Sequence, residues 1–258
     1  MERVEHDGVR IEYELLDGGK PTVVLPHARP FVSWYSPLAG ALDRATLRYR
    51  RSVPPGRSWR VEDDAVLCAR LLTRLGIERP DVVGHSYGGL VALELARDHG
   101  VDPRSIALLE PASIGLLPPD AAAMRTSTLR QAAQSDGPAA MSTFLRVVCG
   151  EDGPAKLERL VPGALDEAIA SADSFFAVEF PAAIRWSFAP GDVRADLPVL
   201  TIRGTASAPR SVEAAEIVRS WFPGSATLVL DGASHLLVAE EPTVIANRLT
   251  EFWSATTR

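Results

Sequence analysis

A serine stands between glycines placed two residues before and two after it, Gly84-His85-Ser86-Tyr87-Gly88, just behind the apolar pair Val82-Val83 and ahead of the helix-forming stretch Leu90-Val91-Ala92-Leu93-Glu94. A serine held in a sharp strand-to-helix turn is presented rather than packed, and the flanking glycines leave room for the bend. The helix that follows aims its unpaired N–H groups at whatever the hydroxyl attacks, so negative charge developing there is stabilised. Ser86 is therefore the expected nucleophile. A hydroxyl at its ordinary pKa needs a base, usually an imidazole oriented by a carboxylate. Five histidines compete for that role. His6 falls at a tight turn, His99 ends the helix after the serine, and His27 ends a strand and shapes a loop. His85 adjoins Ser86 but is expected to point the other way along the turn. His235, in Leu230-Asp231-Gly232-Ala233-Ser234-His235-Leu236, lies just past the carboxyl end of the last strand, where open α/β sheets build their sites. It is the expected base.

The elements that must position these groups alternate along the chain. Apolar and polar residues alternate on both sides of Asp7-Gly8, the signal of a strand, tight turn and strand, so the chain opens antiparallel. Short β-branched or leucine-rich runs at 22–25, 46–50, 81–83, 105–109, 199–202 and 227–230 read as buried strands. Helical stripes fall between them, as in Val61, Ala65, Cys68, Leu72 and Leu75, and again in Ile245, Leu249 and Phe252. The alternation predicts an α/β fold, a mostly parallel sheet wrapped by helices.

The stretch from Leu109 to Pro198 is far longer than the crossover that joins two parallel strands, which needs only about a dozen residues or more. An insertion is expected over 112–194, leaving 1–111 and 195–258 as the core domain. Helix-like pieces at 119–133, 138–148, 165–178 and 182–188 are punctuated by Gly and Pro. Its apolar residues, Met124, Met141, Phe144, Phe175, Phe176, Phe180 and Trp186, suit a small core of its own and, as a set, a helical lid over an apolar cleft. Met141, Phe144, Phe176 and Trp186 are the candidates for contact with a bound molecule, together with His27 and Trp34 from the core.

Across 258 residues, 27 Lys+Arg against 33 Asp+Glu leave a formal charge of −6, with 46% hydrophobic and 23% charged residues. That is the balance of a soluble globular chain, with no global field to draw phosphate backbones or anionic lipid, so neither nucleic acid nor membrane is expected as a partner. The longest apolar runs, such as Thr22-Val23-Val24-Leu25, fall far short of the roughly 20 residues that cross a bilayer. The start Met1-Glu2-Arg3-Val4-Glu5-His6 lacks the apolar stretch of a signal peptide, and Cys68 and Cys149 are too few for a disulfide framework. A cytoplasmic, reduced setting is expected, with both cysteines in the core and a homodimer left open. No phosphate loop and no metal-spaced cluster occurs, so neither a cofactor nor a metal is expected.

Three segments together make the chain resemble the α/β-hydrolase superfamily over essentially its whole length. They are Gly84-His85-Ser86-Tyr87-Gly88-Gly89, the Pro26-His27 loop, and Ala233-Ser234-His235 followed by Glu240-Glu241-Pro242 and a closing helix. The resemblance implies the order nucleophile, acid, histidine along the chain. Many relatives place an aspartate a few residues beyond the strand at 199–202, but here the loop reads Gly204-Thr205-Ala206-Ser207-Ala208-Pro209, with Ser207 where the aspartate would stand. A serine cannot supply the charge that stabilises imidazolium. The strand at 105–109 runs into Glu110-Pro111, and a carboxylate there can reach the same histidine. Some members of the superfamily carry their acid at this place, among them haloalkane dehalogenases and lactonases of the zearalenone-hydrolysing type, and the latter also lack the later aspartate. Glu110 is the expected acid; a dyad, or Asp231, is the alternative.

The resemblance also implies two N–H donors for an oxyanion, one from the residue after the nucleophile, Tyr87, and one from the loop Leu25-Pro26-His27-Ala28-Arg29-Pro30-Phe31. In that loop Arg29 is the expected donor, and Ala28, where a glycine is common, the other choice. The expected activity is hydrolysis of a carboxylic ester or lactone of an apolar small molecule through an acyl-enzyme. Cofactor-free carbon–carbon bond hydrolysis or perhydrolysis uses the same three groups, and a ligand-binding protein that has lost catalysis is the competing class.

Overall fold

The computed structural model describes residues 1–54, 56–97, 99–117, 136–188, 191, 193 and 196–256. Strands β1 (Glu2–His6) and β2 (Val9–Leu16) form the expected hairpin, with Asp7 and Gly8 both at positive φ, 48° and 75°, as a tight two-residue turn demands. Six further strands follow: β3 (Gly19–Leu25), β4 (Arg44–Ser52), β5 (Asp81–His85), β6 (Ser105–Leu109), β7 (Val199–Gly204) and β8 (Ala226–Leu230). They join one sheet in the order β1-β2-β4-β3-β5-β6-β7-β8, antiparallel as far as β4 and parallel from there to β8. β5 and β6 are buried at every position, which is why they read as unbroken apolar runs rather than as alternation.

Helices pack on the sheet by the stripes read from the sequence. In α2 (Val61–Arg74) the buried positions include Val61, Ala65, Cys68 and Leu72, and in the closing helix Pro242–Thr256 they include Ile245, Leu249 and Phe252. Both cysteines are buried, and burial pushes the Cys68 thiol up to about 12 and that of Cys149 up as well. Among the described residues no helix is long and apolar enough to cross a membrane.

Between β6 and β7 the chain forms helices at Ser113–Leu116, Gly137–Cys149, Gly153–Leu160, Ala164–Ala170, Ala172–Ala177 and Glu179–Arg185. The piece expected at 138–148 is present. The one expected at 165–178 is broken at Ser171, whose backbone leaves the helical range at φ −105°, ψ 3°. The piece expected at 182–188 instead starts at Glu179, with Pro181 in the first turn where its missing N–H costs nothing, and stops before Trp186, which is extended. Gly153–Leu160, absent from the expected pieces, carries Pro154 in its first turn in the same way. The piece expected at 119–133, with Met124, and the boundary residue Arg194 lie outside the described residues.

The feature that places the serine is the contact of α3 (Tyr87–Leu95) with the sheet. A Cβ on Gly84 would stand 2.2 Å from the Gly88 carbonyl oxygen, and a Cβ on Gly88 would stand 1.8 Å from that of Pro26. Both obstacles are backbone and cannot swing aside. The two glycines of the motif are thus required by proximity: they bring the start of α3 against both its own strand and the loop after β3. Gly88→Ala is expected to lower stability by about 3 kcal/mol. Gly40→Ala, in α1 (Ser36–Ala41) with nothing within 4 Å of the new methyl, is expected to be neutral or to raise it by up to about 1 kcal/mol. Thermal unfolding of the two variants beside the parent checks both.

Candidate active site

Ladder register sets the site. His85 pairs with Leu109 and Leu109 with Ile202, so β5, β6 and β7 end side by side. The ladder runs one step further: the Ser86 N–H donates to the Leu109 carbonyl at 3.1 Å and the Glu110 N–H to the Ile202 carbonyl at 3.0 Å. Ser86 and Glu110 therefore leave neighbouring strands at the same level. Both turn sharply there, with φ of 52° and 41°, a backbone that costs a non-glycine residue about 1–3 kcal/mol. The Ser86 carbonyl accepts from the Gly89 and Ala112 N–H groups, each at 2.9 Å, which holds the turn closed.

Glu110 is buried and fully engaged. Its Oε1 accepts from the Gly204 N–H at 2.8 Å and from the Ser207 hydroxyl, and its Oε2 accepts from Ser211 Oγ at 3.2 Å and lies 2.8 Å from His235 Nδ1. Burial alone would raise this carboxyl, but the His235 imidazole, the Gly204 N–H and the Ser207 hydroxyl outweigh it and hold it down at about 2. Ser207 thus serves the glutamate. The other carboxylate considered, Asp231, is exposed and accepts from Thr205 Oγ1 at 3.1 Å. His235 sits on a loop pinned by Glu240, which accepts from the Ser234 N–H at 2.6 Å and the Ser234 hydroxyl at 2.8 Å and pairs with Lys156. A carboxylate on Nδ1 fixes the tautomer that leaves Nε2 as the acceptor.

Ser86, Glu110 and His235 line one cavity, with Tyr87 and Ala28 beside them. Its wall is aromatic: Phe31 and Trp34 from the loop after β3, with ring centroids 4.7 Å apart, and Phe144, Phe175 and Phe180 from the inserted segment. Phe144 and Phe175 meet edge to face at 4.9 Å. Of the expected contact residues, Trp34 and Phe144 face this cavity. Met141 is fully buried inside the inserted segment, and Phe176 packs behind Phe175 at 5.1 Å. Trp186 turns toward the helix after the serine and donates its indole N–H to Glu94 Oε1 at 2.6 Å. His27 stacks on Tyr35 at 5.1 Å, and burial lowers its imidazole to about 3.

Two expectations change. His85 does not point away: it lines the cavity, its ring lies 4.6 Å from that of His235, and its Nδ1 is 3.0 Å from the Tyr35 hydroxyl. His85 is still in the β5 ladder, and it is Ser86, with its positive φ, that departs from the strand and comes to the same cavity. Burial, and then the neighbouring His235, push the pKa of His85 well down. Arg29 is the second. Its N–H is donated to Glu179 Oε1 at 3.2 Å, and the cavity is lined by Ala28 and not by Arg29.

Glu179 belongs to a buried cluster that sequence reasoning did not find. Arg51 pairs with Asp64, reaches Glu179 Oε1 at 3.4 Å and donates to the His27 carbonyl at 3.2 Å, while the Tyr87 hydroxyl donates to Asp64. The guanidinium thus ties β4 and α2 to the loop after β3, to the residue after the serine and to the inserted segment. A signal existed: Leu47, Tyr49 and Arg51 share one phase of a period-two strand, so Arg51 had to face inward with the other two.

A family model described as "Alpha/beta hydrolase family" matches residues 23–248. Among solved structures, a thermophilic esterase from Thermogutta terrifontis superposes with a TM-score of 0.81 at 18% identity over 100% of both chains. An enol-lactonase from Burkholderia xenovorans LB400 superposes with a TM-score of 0.77 at 21% identity, covering 98% of this chain and 100% of that one. In sequence, 117 residues are 34% identical to a dihydrolipoyllysine-residue acetyltransferase component of an acetoin cleaving system from Cupriavidus necator. The match covers 42% of this chain and spans 31% of that protein's length. The family match extends from β3 into the closing helix and takes in the serine turn, Glu110 and the His235 loop: the chain belongs to the alpha/beta hydrolase family.

Proposed function

We propose that the chain is a serine hydrolase that cleaves a carboxylic ester or lactone of an apolar small molecule through an acyl-enzyme. The observation that carries this reading is the 2.8 Å contact between His235 Nδ1 and an ionised Glu110, in a cavity that Ser86 also lines. Ser86 Oγ attacks the carbonyl carbon while its proton passes to His235 Nε2, and Glu110 stabilises the imidazolium that forms. The negative charge on the carbonyl oxygen falls to the Tyr87 and Ala28 N–H groups at the head of α3 and in the loop after β3. Collapse of the tetrahedral species breaks the C–O bond, the leaving oxygen takes the proton from Nε2, and water repeats the sequence to free the acid. The aromatic wall favours an apolar acyl or alcohol part. The esterase and lactonase among the structural neighbours are consistent with the same bond types. The contact of Glu110 with His235 supports the resemblance to lactonases of the zearalenone-hydrolysing type.

Ser86→Ala is expected to lower turnover of a chromogenic ester about 10⁶-fold, and the parent protein is expected to react stoichiometrically with a fluorophosphonate at Ser86. A parent that resists the label and turns over no ester is a ligand-binding member of the family instead.

The choice of acid has its own test. Glu110→Gln is expected to cut kcat about 10⁴-fold, and Asp231→Asn to leave it unchanged; the reverse pattern assigns the acid to Asp231. Because the folded-state pKa of Glu110 is depressed from 4.5 to about 2, the stability it lends is fully present above 4.5 and is lost as pH falls toward 2. The stability gap between parent and Glu110→Gln, measured by denaturant unfolding, is expected to be constant above that range and to close within it.

A further inference from the structure

Glu179 stands at the start of a helix of the inserted segment, buried, and lines the cavity on the side of the loop after β3. One carboxylate oxygen is spoken for: Oε1 accepts from the Arg29 N–H at 3.2 Å and lies 3.4 Å from Arg51. The other, Oε2, is buried and has no hydrogen-bond partner among the other described residues, the N–H of Glu179 itself being the further donor that favours the charged carboxylate. A carboxylate oxygen shut away from water without a donor is unfavourable unless something supplies one.

The charge balance makes the same demand. Arg51, Asp64 and Glu179 are each about 1% exposed, so one guanidinium serves two carboxylates. The imidazole beside them, His27, is kept neutral by burial. Burial is also what chiefly raises both carboxyl groups, against the lowering effect of Arg51. Such a carboxylate is poorly placed beside a developing oxyanion. A donor brought by the substrate would satisfy it.

We propose that Glu179 is a specificity-determining residue, whose Oε2 accepts a hydrogen bond from a hydroxyl or ammonium group carried on the carbon next to the scissile carbonyl. The position follows from the contacts: the Glu179 carboxylate accepts from the amide of Arg29, next to Ala28, the oxyanion donor proposed above, and Ala28, Ser86 and Glu179 line one cavity. A group one bond from the carbonyl carbon comes within its reach, while the rest of an apolar acyl part lies against Phe144, Phe175 and Phe180. The substrate class is thus an ester or lactone of an α-hydroxy or α-amino acid with an apolar side chain. This deepens the hydrolase reading and rests on it.

Three esters of one shape separate the possibilities: methyl phenylacetate, methyl mandelate and the methyl ester of phenylglycine, the last assayed below the pKa of its amine. Each kcat/KM is divided by the hydroxide-catalysed rate of the same ester, which removes intrinsic activation by the substituent. The parent protein is expected to favour at least one donor-bearing ester by about tenfold or more over methyl phenylacetate. Glu179→Met should abolish that preference, and Glu179→Gln, which keeps a carbonyl acceptor without the charge, should keep a preference for the hydroxyl and lose one for the ammonium. If Glu179→Met fails to fold, the ratios of the parent protein decide alone. Parity of the three esters, or turnover of none by a protein that labels at Ser86, overturns the proposal. Failure to label at Ser86 overturns the hydrolase reading instead.

Discussion

The carboxylate of Glu110 is the constraint around which the site is organised. A charge at this depth is tolerable only when every lone pair finds a donor, and four elements converge to provide them: the end of β7 through the Gly204 N–H, the loop after it through Ser207, the following helix through Ser211, and the loop after β8 through His235. Removing any one donor leaves the others to hold an ion that burial disfavours. The loop after β7, through Ser207, thus serves to solvate a glutamate that follows β6. The strain follows suit. Among the described residues three non-glycine positions have positive φ, and two of them, Ser86 and Glu110, are the first residues beyond adjacent strands. The parallel ladder on one side and the glycine contacts of α3 on the other over-determine both turns, which is how such backbone persists.

Two buried charge systems flank an apolar cavity, and they are built on opposite principles. At the Glu110 end the carboxylate is surrounded by neutral donors and one imidazole, so its charge survives to about pH 2. At the Arg51 end opposite charges meet directly, with more carboxylate than guanidinium, and the carboxyl groups are pushed upward by burial instead. The same cavity is lined by the phenyl rings of Phe31, Phe144, Phe175 and Phe180, which carry no hydrogen-bonding group. Polar groups near Ser86 to orient a molecule and apolar rings to hold the rest of it are the usual division of labour in small-molecule sites.

How much of this was legible in the sequence depends on the range of the interaction. The strands showed as β-branched runs, the hairpin as Asp7-Gly8, and the serine turn as glycines at fixed spacing, since each is settled by a few neighbouring residues. Glu110 was legible because it directly follows a buried strand, so topology alone put it at the right level. Partners far apart in the chain were not: nothing near Ser207 announces a hydroxyl bound for Glu110, and Arg51 sits in the run Arg48-Tyr49-Arg50-Arg51, which reads as a solvated face unless the strand phase is followed. The direction of His85 is not legible from alternation, because residues 85 and 86 take opposite faces only while the strand continues, and the chain leaves it with φ of 52° at Ser86. In the inserted segment, apolar content was plain but direction was not; Trp186 is as apolar as Phe180, yet its N–H is claimed by buried Glu94, and that decides which way the ring turns.

The inserted segment is fastened by charges at both ends of the site and by rings in the middle. Lys156 pairs with Glu240, which in turn holds Ser234 next to His235; Glu179 holds the Arg29 amide next to Ala28. Each tie passes through one intermediate residue to a group placed in the proposed chemistry. The aromatic contacts between them are non-directional and tolerate exchange of one ring for another of similar volume, whereas a carboxylate bound to a particular N–H does not. The segment is therefore free to vary the shape of the cavity through Phe144, Phe175 and Phe180 while its two polar anchors keep the histidine loop and the loop after β3 in register. That separation allows a fold of this kind to change what it accepts without disturbing the groups that would act on it.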